Sequence, residues 1–137
     1  MSKNLQDAYI VAATRTPIGK APRGAFRMTR PDDLLVRVLQ SALAQVPNLA
    51  PQLIEGAVIG CAFPEAEQGL NVARMAVLLA GLPNTVAGMT INRYCASGLT
   101  AVAMAADRIR VGEAEVMIAG GVESMSMVPM MGHHPSM

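Results

Sequence analysis

Four short apolar runs of strand length, separated by three segments of helical period, constrain this chain more than any other feature. The runs lie at 8–14, 54–60, 85–94 and 116–119, the last ending at Gly120 and Gly121. Short continuous apolar runs bounded by turn residues fit strands buried on both faces. Helices between successive strands imply right-handed crossovers and a parallel sheet covered on both sides. The pattern predicts an α/β fold, a mostly parallel sheet flanked by helices in layers.

The helices have readable boundaries. Pro31, Asp32 and Asp33 suit a first turn, where a missing N–H costs little and the dipole favours carboxylates. Leu34, Leu35, Val38, Leu39, Ala42 and Val46 follow at helical spacing, and Pro47 closes the segment. A second helix is expected at 71–80 with Val72, Met75, Ala76 and Leu79 inward, stopped by Gly81 and Pro83. A third is expected at 96–111, with Leu99, Val102, Ala103, Ala106 and Ile109 on one stripe.

Composition agrees with buried layers. Charged residues make up 15% of the 137, against roughly 25% in an average soluble domain. The net charge of +1 favours neither nucleic acid nor an acidic partner. Arg15, Lys20, Arg23, Arg27 and Arg30 form a basic stretch, read as a solvated loop, with contact to a phosphorylated ligand as the alternative. Cys61 and Cys95 are too far apart for a C-x-x-C pair, which fits a reduced intracellular protein. The run at 8–13 lacks the features of a secretory signal, and the apolar stretch at 75–82 is too short to span a bilayer. A soluble, cytoplasmic protein without membrane partners is expected.

Cys95 stands where an apolar strand meets a helix start. Ligands of α/β sheets bind at strand C-terminal edges, and helix N-termini carry unpaired N–H groups and positive potential. That setting favours the thiolate, the nucleophilic form of the side chain. Gly98 leaves room for a substrate or a second backbone. A buried, inert cysteine is the alternative that position alone leaves open.

The run INRYCASGLTAV at 91–102 resembles the active-site segment of thiolases. Three further segments match that family in order: IVAATRTPIG at 10–19, its opening strand and loop; RPDDL at 30–34, its first helix entry; and GGVESMS at 120–126, the strand end before its loop domain. The resemblance implies a layered thiolase-like N-terminal domain over 1–122, with 123–137 as the start of a truncated loop domain. It implies that the sheet is incomplete, its last strand and the C-terminal domain being absent from the chain.

By the same resemblance, the Cys95 thiolate attacks the keto carbon of a 3-ketoacyl-CoA, acetyl-CoA leaves, and the acyl group stays on sulfur until a second CoA collects it. The Cys95 backbone N–H is the expected oxyanion donor. Glu123 is a candidate supporting residue beside the site, or a carboxylate that holds its turn. Coenzyme A enters as substrate, no tightly bound cofactor or metal is expected, and the full-length enzyme is expected to be a homodimer or homotetramer. The catalytic histidine, a second cysteine and an oxyanion motif belong to later segments of the family, so the 137 residues alone are expected to be inactive.

Other residues carry less. His133 and His134 read as exposed loop residues and Cys61 as a packed thiol. Met125, Met127, Met130 and Met131 could line an acyl pocket or be covered by a further domain. A biosynthetic acetoacetyl-CoA thiolase or related condensing enzyme is the nearest alternative. A nucleotide-binding module would need a Gly-rich turn after the first strand, where Thr14, Arg15, Thr16 and Pro17 stand instead. A non-enzymatic assembly fragment is a third reading.

Overall fold

The computed structural model describes residues 5–134. Three parallel strands form the sheet among these residues: β1 (Gly56–Gly60), β2 (Ala87–Ile91) and β3 (Met117–Gly121), in spatial order β2-β1-β3. Gly60 sits opposite both Ile91 and Gly121, so the three C-terminal ends finish level and form one edge. All five residues of central β1 are buried, as expected of a strand covered on both faces.

Alternate residues of β1 serve opposite faces. Ile59 and Cys61 pack with Leu35 and Leu39 of α1 (Pro31–Ala44) and with Val72, Ala73 and Ala76 of α2 (Val72–Leu79). Gly60 turns to the other face and meets the first turn of α3 (Ser97–Arg110); a Cβ there would come within 2.5 Å of the Ser97 carbonyl carbon. Gly88 does the same for α2, where a Cβ would lie 2.6 Å from Arg74 Cα and N. Glycine at these two strand positions lets helices approach closer than any side chain would permit.

Asn71 caps α2 and fastens it to the edge strand. Its Oδ1 accepts from Arg74 N–H (3.2 Å) and from Thr90 Oγ1 (2.8 Å), while its Nδ2 donates to the Gly88 carbonyl (2.8 Å). Arg74 donates to the carbonyls of Val86 (2.6 Å) and Asn84 (3.0 Å), holding the turn that leads into β2.

Two expectations from the sequence need correction. Residues 8–14 do not form a strand. An extended segment becomes a strand only through a partner's backbone, and here residues 8–16 and β3 face each other across an open channel of about 700 Å³. The backbone of Ala13 bonds instead to the Gln45 side chain (3.3 and 3.2 Å).

The helix faces also differ from the expected stripes. In α3 the buried residues are the small Ser97, Ala101 and Ala105, Leu99 is 76% exposed, and Val102, Ala106 and Ile109 face the channel. In α2, Ala73 and Val77 are buried beside Val72 and Ala76, leaving Met75 and Leu79 outside. Tight helix–sheet packing selects small side chains, so the largest apolar residues are not the innermost.

The methionine-rich segment after β3 folds into a turn. The Ser124 carbonyl accepts from the N–H groups of Met127 (3.2 Å) and Val128 (2.8 Å), and Val128 is fully buried. Residues 135–137, the end of the expected second domain segment, lie outside the described residues. No helix among the described residues is long and apolar enough to cross a membrane.

Candidate active site

The level C-terminal ends of the three strands carry the candidate site. Hydrogen bonds continue past the strands there: Cys61 N–H donates to the Ile91 carbonyl (3.0 Å) and Val122 N–H to the Gly60 carbonyl (3.0 Å). Above this edge the chain turns from β2 into α3 through residues 92–96, and Cys95 is exposed on the turn. Ala96 occupies the helix N-cap without any side-chain cap. Cys95 therefore stands one residue before the cap, at the positive end of a 14-residue helix.

The turn is sharp because Tyr94 adopts a left-handed backbone, with φ of +50°. A bulky residue there carries strain on the order of 1–3 kcal/mol, which the surroundings must impose. Asn92 Oδ1 accepts from Tyr94 N–H (2.8 Å), and Ser97 Oγ donates to the Tyr94 carbonyl (2.6 Å). Ser97 Oγ also accepts from Arg93 N–H (2.8 Å) and is almost fully buried. The Tyr94 ring leans against Phe63, with centroids 6.3 Å apart. The Cys95 N–H makes no hydrogen bond among the described residues, and a Cβ on Gly98 would meet nothing within 4 Å. The turn thus presents a thiol and a free amide beside open space.

Glu123 sits at the end of β3. Its Oε2 accepts from Ala62 N–H (2.7 Å), and its Oε1 accepts from the side-chain amide of Gln68. Gln68 is fully buried, donates to the Phe63 carbonyl (2.9 Å) and accepts from Ser124 N–H (2.9 Å). On its other side Ala62 accepts through its carbonyl from Asn92 Nδ2 (2.9 Å). Cys95 and Glu123 do not bond to each other; Asn92 and Ala62 link their two turns.

Cys61 is packed inside, 1% exposed, as its reading as a core thiol requires. Burial, and then the nearby Glu123 carboxylate, push its thiol up to about 12, against a smaller opposing effect of a hydrogen bond at Phe63. It is the buried cysteine of the pair. His133 and His134 are exposed; His133 Nε2 lies 3.0 Å from the Met127 carbonyl, and its backbone N–H bonds Glu65. Met125 lines a small pocket of about 170 Å³ with Thr16, Phe26, Arg27 and Glu123, while Met130 and Met131 are exposed. Arg15, Lys20, Arg23, Arg27 and Arg30 are all exposed.

Asn92, Ser97 and Gln68 were not singled out from the sequence. Asn92 had a local signal, since an Asn that accepts from the N–H two residues on is a familiar turn former. Ser97 stands two residues after the cysteine within the quoted motif. Gln68 had none, because a polar residue buried between turns leaves no periodicity.

Residues 8–136 match the family described as "Thiolase, N-terminal domain". A 3-ketoacyl-CoA thiolase of Bacillus subtilis strain 168 is 50% identical over 129 residues, covering 94% of this chain and 33% of that protein. A 3-oxoadipyl-CoA/3-oxo-5,6-dehydrosuberyl-CoA thiolase of Escherichia coli K12 is 47% identical, covering 91% of this chain and 31% of that protein. The crystal structure of the Bacillus anthracis acetyl-CoA acetyltransferase superposes with a TM-score of 0.84 at 40% identity, over 93% of this chain and 32% of that one. The chain spans about a third of the length of these relatives. With the family match running almost end to end, the chain belongs to the thiolase family, as a thiolase N-terminal domain.

Proposed function

We propose that this chain supplies the nucleophilic part of an acyl-transferring thiolase that cleaves 3-ketoacyl-CoA, as in fatty-acid β-oxidation. The Cys95 thiolate adds to the keto carbon, and the Cys95 N–H donates to the oxyanion that forms. Collapse breaks the bond between the α and β carbons, leaving the acyl group on sulfur and releasing acetyl-CoA once the α carbon takes up a proton. The thiol of a second CoA, losing its proton, displaces the acyl group and restores Cys95. CoA is substrate here and not a tightly bound cofactor.

The observation that carries this reading is the exposed thiol with its free amide on the strained turn between β2 and α3. The names of the relatives support the substrate class. Glu123 holds the neighbouring strand ends together and acts on the site through Ala62 and Asn92. Residues 1–122 form the N-terminal domain and 123–137 open the loop domain. Acid–base groups from further segments are required, so the 137 residues alone do not turn over, and the working enzyme is a cytoplasmic homo-oligomer. Incubating the full-length protein with a 3-ketoacyl-CoA, quenching in acid and mapping peptides by mass tests the reading. An acyl adduct on the Cys95 peptide is expected; turnover that survives Cys95→Ala would overturn it.

A biosynthetic role in joining two acetyl-CoA units is the second reading, favoured by the name of the Bacillus anthracis neighbour. Comparing rates of the full-length protein on acetoacetyl-CoA and on longer 3-ketoacyl-CoAs separates the two.

A further inference from the structure

We propose that Asn92 and Ser97 are positioning residues for Cys95, acting by clamping the peptide groups of Tyr94 in its left-handed conformation. The inference rests on the reading of Cys95 as nucleophile and adds how the fold presents it. Tyr94 is the residue immediately before the thiol, and its φ of +50° is one that a large side chain rarely adopts unaided. Both polar groups of its backbone are held by side chains: the N–H by Asn92 Oδ1 at 2.8 Å and the carbonyl by Ser97 Oγ at 2.6 Å, beside a backbone bond from Ser97 N–H (3.0 Å) that Ser97→Ala keeps.

Each clamp is itself anchored. Asn92 Nδ2 donates to the Ala62 carbonyl at the end of β1 (2.9 Å), and Ser97 Oγ accepts from Arg93 N–H (2.8 Å). Ser97 is buried where α3 seats against Gly60, so its hydroxyl has little freedom to move. Without the clamps the peptide relaxes toward negative φ, and the thiol swings away from the N-terminus of α3. Neither residue touches the reacting atoms; both set where the sulfur is.

Iodoacetamide alkylation of the 137-residue chain at pH 7 reads this directly, with the modified peptide identified by mass and folding checked by circular dichroism. Ser97→Ala and Asn92→Leu are expected to slow alkylation of Cys95 by at least about fivefold, the size that strain of this class permits. Asn92→Asp keeps an acceptor for Tyr94 N–H and is expected to lose less than Asn92→Leu. In a Tyr94→Gly background, where positive φ costs nothing, Ser97→Ala is expected to lose less than twofold.

Folded Ser97→Ala and Asn92→Leu chains that alkylate within twofold of the parent would overturn the proposal. So would an equal loss with Tyr94 and with Gly at position 94, which would assign the hydroxyl to helix stability alone. Should Ser97→Ala fail to fold, the Asn92→Asp and Asn92→Leu pair decides. Alkylation needs no thiolase turnover, so failure of the clamp is distinguishable from failure of the thiolase reading, which the acyl adduct tests.

Discussion

Glu123 Oε2 accepts a hydrogen bond from the N–H of Ala62 at 2.7 Å, tying the end of β3 to the end of β1 across the edge where Cys95 is presented. The second oxygen is taken by Gln68, so one carboxylate joins three turns. Removing it in Glu123→Ala leaves Ala62 N–H without its acceptor and the buried Gln68 amide with the Phe63 carbonyl alone. A loss of about 1–3 kcal/mol in denaturant unfolding is expected. Glu123→Gln keeps one acceptor and is expected to lose less.

The Cys61 thiol gives a pH prediction with a fixed sign. Its value is raised to about 12 in the folded chain, from an ordinary value near 9. Between these values the unfolded chain has released the proton and the folded chain has not, so unfolding is favoured as pH rises. Stability is fully present below about pH 8.5 and falls as pH climbs towards the folded value. Urea midpoints measured from pH 7 to 10 are expected to decline, and Cys61→Ala to flatten part of that decline.

The same burial predicts a labelling count. Under native conditions at pH 8 a disulfide reagent is expected to titrate Cys95 and to leave Cys61 untouched; in denaturant both react. A rapid native reaction at Cys61, located by peptide mass, would contradict its packing.

Gly60 is where β1 admits the first turn of α3. In Gly60→Ala a Cβ would lie 2.5 Å from the Ser97 carbonyl carbon, a backbone atom that cannot step aside. Overpacking of this kind costs about 1–3 kcal/mol. The shift of α3 should also slow Cys95 alkylation, whereas Asn71→Ala, which removes the cap of α2, is expected to cost about 1 kcal/mol without that effect.

These residues show what the sequence carried and what it did not. The boundaries of α1 and α3 were written in Pro31, the two following acids and Pro47, and in the run that begins after Cys95. These are local signals, so they survive reading without a structure. The place of Cys95 at a strand-to-helix turn was local too. The first expected strand failed because strand status belongs to a pair: residues 8–14 have the right composition but no backbone within reach. The buried side of α3 was not legible because Gly60, far away in sequence, brings the helix so close that Ser97, Ala101 and Ala105 fit where Leu99 cannot. Glu123 was legible as a turn carboxylate, but its acceptor role depends on Ala62 and Gln68, both more than fifty residues away.

The channel between residues 8–16 and β3 has a consequence for handling the protein. One long side of β3 offers its peptide groups to no neighbour within the sheet, and apolar side chains of α1 and α3 wall the space beside it. An open strand bordered by apolar surface is a template for whichever extended segment reaches it first. At high concentration, self-association of this chain is expected to begin at β3, on the opposite side of the sheet from the edge strand that leads into Cys95.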